Sequence, residues 1–105
     1  MLFRSARVFA IGWSALPVRD QRSLFVNYGS TLRNNGNLEA ALSFLSEGQR
    51  HFPEYAPIQI FRALVLCSAK RDVEAARALL TALPLVARTG LDGYEHALQQ
   101  YTKII

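Results

Sequence analysis

The side chains that could do chemistry here are two histidines, one cysteine and eight acidic residues among 105 positions. Their spacing speaks against catalysis, which needs a nucleophile or an acid/base pair held in a pocket, or a metal. His51 stands just before Phe52-Pro53, at the end of a helix, where an imidazole faces the last carbonyls and the negative end of the helix dipole. His96 follows Glu95 on the last helix and reads as a structural or solvated residue. Cys67 lies in an apolar stretch with no histidine at a helical spacing to take its proton, so it reads as a small buried hydrophobe. No phosphate-cradling glycine loop, zinc spacing or calcium loop occurs. The expectation is a chain with no catalytic residue, no metal ligand and no cofactor, and hence not an enzyme.

What remains is a scaffold. Half of the residues are apolar and 19% are charged, which fits one packed domain and excludes a disordered or disulfide-stapled chain. The longest apolar run, residues 8–18, is interrupted by Gly12, Ser14 and Pro17 and is too short to cross a bilayer. The net charge of +4 is scattered, so it permits an acidic partner without arguing for one.

The elements that would position any site come from an internal repeat. Asn37-Leu38-Glu39-Ala40-Ala41 recurs 35 residues later as Asp72-Val73-Glu74-Ala75-Ala76, each a polar cap followed by a Glu in the first helical turn. Upstream, Phe25/Tyr28/Gly29/Leu32 align at the same shift with Ile60/Ala63/Leu64/Cys67, and a third set follows at Tyr94/Ala97/Leu98/Tyr101. Ala41, Leu45 and Gly48 on one second helix match Ala76, Leu80 and Leu83 on the next. The pattern predicts six helices, over residues 6–16, 21–34, 38–51, 57–69, 73–83 and 91–104. Asp20 is a candidate cap, Asn34-Asn35-Gly36-Asn37 a turn, and Pro57 an N-terminal helical residue. Pro84 should end the fifth helix early or kink it, because an interior proline costs roughly 3 kcal/mol.

A helix pair of this period, with Tyr28-Gly29, Gly36, Ala41, Leu45 and Pro53 at these mutual spacings, resembles the tetratricopeptide repeat. The match is best over residues 22–55. Over 57–90 it is degenerate, with Arg71 in place of the turn glycine and Arg88 in place of the proline, and 91–105 holds a half repeat or capping helix. The resemblance implies an all-α fold in which antiparallel helix pairs stack as a short right-handed α-solenoid of about six helices. Phe25, Tyr28, Gly29, Leu32, Ala41, Leu45, Gly48, Ala76 and Leu80 are its repeat-packing residues. Residues 6–17 read as the second helix of a truncated repeat, and residues 1–5 as a non-native scar of the kind a translated sequencing adapter leaves. The chain then reads as a piece of a larger bacterial protein. A signal peptide is the rival reading of this start, but no clean small-x-small cleavage site follows.

Such solenoids bind partners on the concave surface lined by the first helix of each pair. In this register Val26, Ser30, Arg33, Ile58, Phe61 and Val65 face that groove, whose middle is apolar. The expected function is a non-catalytic protein–protein interaction domain that takes a peptide or helix there. An alternative is the soluble C-terminal helical domain of a bacterial membrane glycan polymerase or ligase of the O-antigen type, on the similarity of Leu24-Phe25-Val26-Asn27-Tyr28-Gly29 entering a repeat pair. RNA binding ranks last, because a groove with only Arg33 basic lacks the cationic stripe that phosphates require. The expected partner is thus a protein or peptide, the rest of the parent chain included, with no nucleic acid and no membrane span in this stretch. The compartment is cytoplasmic by default and periplasmic under the membrane-enzyme alternative.

Overall fold

The computed structural model describes residues 12–103. Among these residues five α-helices follow a 3-10 turn at Trp13–Ala15: α1 Val18–Asn34, α2 Leu38–His51, α3 Ala56–Ser68, α4 Asp72–Thr89 and α5 Glu95–Tyr101. Among the described residues there is no strand. Helix α1 packs on α2 and α3 on α4, giving two antiparallel pairs, and the pairs stack through α2 on α3 and α1 on α3.

Close approach within the first pair depends on two glycines. A Cβ on Gly29 would stand 2.7 Å from Leu45 Cγ, and one on Gly48 2.7 Å from Phe25 Cγ, so each glycine admits the opposing side chain. Leu45 and Phe25 are fully buried as a result. They join Val26, Leu32, Ala41, Phe44, Tyr55, Ile58, Phe61, Leu64 and Val65 in one core cluster, with Tyr28 packed against it. The second pair closes around a smaller cluster of Ala63, Leu66, Ala75 and Ala78.

The turns set the true repeat length. After α1, the amides of Asn35, Gly36, Asn37 and Ala41 bond to the carbonyls of Thr31, Arg33, Leu32 and Asn37. After α3, the amides of Ala69, Lys70, Arg71 and Ala75 bond to those of Val65, Cys67, Leu66 and Arg71, every partner shifted by 34. Gly36 and Lys70 are the left-handed residues of the two turns, at φ 82° and 61°. The 35-residue alignment expected from sequence is therefore one residue too long in the second pair, and the turn glycine is replaced by Lys70, not Arg71. One residue is a 100° rotation on a helix. It takes Ala76 and Leu80 off the packing face, where they were expected, and puts both on the exposed side of α4, Leu80 at 66% exposure. Ala75, Ala78, Ala82 and Leu85 are buried in their stead.

Four further expectations change. Of the helix expected over residues 6–16, residues 6–11 lie outside the described part; the remainder is the 3-10 turn, because Gly12 sits at φ 101°. Helix α1 starts at Val18 with Pro17 as its N-cap, and Asp20 lies within the first turn, where the dipole favours its charge. Helix α4 runs through Pro84 to Thr89. Pro84 is exposed, so the carbonyl of Leu80 that loses its donor lies on the solvent side, while buried Ala82 and Leu85 hold the turns around it. The last helix is shorter than expected, since Gly90, Asp92 and Gly93 all take positive φ and hold residues 90–93 out of helical geometry.

Candidate partner-binding groove

The six residues expected to line the concave face come from α1 and α3, whose side chains meet where the two pairs stack. Val26, Ile58, Phe61 and Val65 are all buried in the main core cluster, and Ser30 and Arg33 stand half-buried at its edge. The open apolar groove expected from sequence is covered. Tyr94, Leu98 and Tyr101 pack against that cluster, so the chain from Tyr94 through α5 lies across the face.

The cover is held by aromatic edges and a few polar contacts. The Phe61 ring meets Tyr94 edge-on at 5.5 Å between centroids and Tyr101 at 6.0 Å. The Arg33 guanidinium lies 5.2 Å from the Tyr101 ring centroid, a cation–π distance, while its Nε donates to Ser68 Oγ at 3.0 Å. Ser30 and Tyr101 share a hydroxyl contact of 3.4 Å, and the Tyr94 hydroxyl reaches Asn27 Oδ1 at 3.5 Å. Ahead of α5, the Tyr55 hydroxyl donates to Asp92 Oδ2 at 2.6 Å. Burial, reinforced by that bond, pushes the Tyr55 phenol well above its ordinary range, and burial also raises Tyr94. Both stay neutral hydroxyl groups at physiological pH.

The backbone of α5 stands apart. No Cα of this helix lies within 8 Å of a Cα in another described helix, and none of its seven residues is buried. Long side chains therefore span the gap that backbone packing closes between the other helices. Sequence reasoning placed Tyr94 and Tyr101 as repeat-packing residues of a third unit; their separation of seven, two helical turns on one face, was the available sign of a paired contact.

The remaining chemistry-bearing groups are dispersed. His51 is exposed at the end of α2, edge-on to Trp13 at 4.6 Å and 4.0 Å from Glu47. His96 is exposed on α5, and Cys67 is partly buried on α3. Among the described residues no three His, Cys, Asp or Glu side chains gather as metal ligands, and no helix is long and apolar enough to cross a membrane.

Stacked antiparallel helix pairs with a 34-residue structural period define an α-solenoid repeat protein. A family model described as tetratrico peptide repeat matches residues 10–105, and the chain belongs to the tetratricopeptide repeat family. No curated protein and no solved structure gives a significant match. At the level of the family, the chain is a protein–protein interaction scaffold.

Proposed function

We propose that this domain is a non-catalytic binding module that takes a helical segment of a protein partner on its concave face. Val26, Ile58, Phe61 and Val65 supply the apolar floor, and Ser30 and Arg33 the polar edge. The observation that carries this reading is that a helix already lies there: Tyr94 and Tyr101, seven residues apart, set their rings against Phe61 while Arg33 covers the second ring. The chain's own segment 94–101, α5 with Tyr94 as its N-cap, thus displays the chemistry of a suitable ligand, an amphipathic helix with aromatic anchors at i and i+7. A partner of that pattern competes with α5 for the same floor.

The test uses the full chain carrying Tyr94→Ala and Tyr101→Ala, which frees the face, and a synthetic peptide of residues 91–103 added in trans. The variant should bind the peptide with amide shifts at Asn27, Ser30 and Arg33 in NMR spectra, whereas the unaltered chain should bind it more weakly because the site is filled in cis. A variant that shows no shift at those amides would refute the groove reading.

A further inference from the structure

A polar cavity of about 200 Å³ opens among α2, α3 and α4 and shares no residue with the concave face. Helical spacing builds its walls: Gln59 and Arg62 stand one turn apart on α3, Glu74, Arg77 and Thr81 lie along one side of α4, and Gln49 closes it from α2.

Gln59 is the residue that needs explaining. It is the one buried polar side chain among the described residues, at 3% exposure. Its Oε1 is sealed from solvent without a hydrogen-bond partner, and its amide has no partner among the described residues. The 34-residue register sharpens the anomaly, because Gln59 occupies the position that Phe25 holds in the first pair, where a fully buried ring fills the interior. An unpaired amide in place of a core aromatic lowers stability, so its retention points to a ligand.

Two cations stand beside it. Arg62 donates through Nε to Ser46 Oγ at 3.0 Å, which anchors its guanidinium and leaves the terminal nitrogens to the cavity. Arg77 is exposed and, like Arg62, forms no ion pair among the described residues. The carboxylate on the wall is already taken, since Arg71 holds Glu74 through bonds of 3.0 and 2.6 Å. Those bonds first, and then the charges of Arg62 and Arg77, hold the Glu74 carboxyl below its usual range, so both free cations act on the same space.

We infer that this cavity binds a phosphate group, gripped by Arg62 and Arg77 and oriented by the Gln59 amide. Guanidinium groups pair bidentately with phosphate oxygens, and a tetrahedral group presents oxygens to α2, α3 and α4 at once, which a planar carboxylate does not. A water molecule would satisfy the amide but would not offset two like charges at one opening. The free ion and a phosphorylated side chain of a protein share this chemistry, since each offers three or more strong acceptor oxygens.

Titration of the full chain separates the two sources. The probes are inorganic phosphate and a short phosphoserine peptide, with the unphosphorylated peptide as the blank, all at constant ionic strength. Both phosphate probes should shift the side-chain N–H signals of Gln59 and Arg62 in NMR spectra, and the blank should not. Arg62→Gln and Arg77→Gln should each weaken binding by about tenfold or more. Arg19→Gln removes the same charge at an exposed position outside the cavity and should leave binding unchanged. Gln59→Met should weaken binding yet raise the melting temperature, because it trades an unpaired amide for apolar atoms. Tighter binding of the phosphoserine peptide than of the ion assigns the site to a phosphorylated partner, and tighter binding of the ion assigns it to free phosphate. No shift at Gln59 and Arg62 with either probe, an equal loss in Arg19→Gln, or a Gln59→Met chain that binds unchanged or melts lower would each overturn the inference.

Discussion

Replacing Ala75 or its neighbour Ala76 by leucine separates the 34-residue register from the 35-residue one. Ala75 is 2% exposed and packs with Leu66 and with Ala63 and Ala78, the small residues across which α3 and α4 approach. Three added carbons have no space there. Overpacking of this kind costs about 1–3 kcal/mol, set against a negligible difference in helix propensity between alanine and leucine. Ala76 is exposed, where a leucine changes stability by no more than about 0.5 kcal/mol. At about 4–8 °C per kcal/mol for a domain near this size, Ala75→Leu should lower the melting temperature by roughly 5–20 °C and Ala76→Leu by a few degrees at most. Thermal melts followed by circular dichroism read both. If Ala76→Leu were the costlier substitution, α4 would be rotated by one residue and the side that carries Ala76 and Leu80 would be its packing face.

Gly48→Ala sets two effects against each other: a helix-propensity gain of about 1 kcal/mol and an overpacking cost of about 1–3 kcal/mol. The new Cβ would meet Phe25 at 2.7 Å from Cγ and 3.0 Å from Cβ, and Phe25 is fully buried, so urea titration should show a net loss of up to about 2 kcal/mol; a stabilised variant would refute the close approach. Stability should also fall as pH rises above about 10, where the unfolded chain loses phenolic protons that Tyr55 and Tyr94, both raised, still hold. That contribution is complete below pH ~10 and lost above it, so Tyr55→Phe should flatten the alkaline limb of a melting-temperature profile.

The helix pairs were legible because their determinants are local: the Asn37 and Pro53 breaks, the Gly36 turn, and the apolar spacing of Phe25, Gly29, Leu32 and Leu45. The register of the second pair was not, because Glu39-Ala40-Ala41 and Glu74-Ala75-Ala76 are identical and align at 35, while the deciding feature, a left-handed backbone at Lys70, has no side-chain signature. Glycine or asparagine marks such a turn; lysine hides it. The passage of α4 through Pro84 was equally hidden, since it depends on that proline facing solvent. For the concave face, the apolar character of Ile58, Phe61 and Val65 was readable, but whether a later segment covers them depends on the path of residues 90–93, where three positive φ angles turn the chain back.

Native-state hydrogen exchange of the full chain tests most directly whether α5 is a removable occupant of the groove. A segment held by side chains across a backbone gap should open without unfolding the rest. The amides of residues 98–101 should therefore exchange with an opening free energy well below that of the core of α1 to α4, and a 91–103 peptide in excess should speed them further. Protection of α5 equal to the global unfolding free energy, unchanged by peptide, would make this helix part of the core and contradict the account.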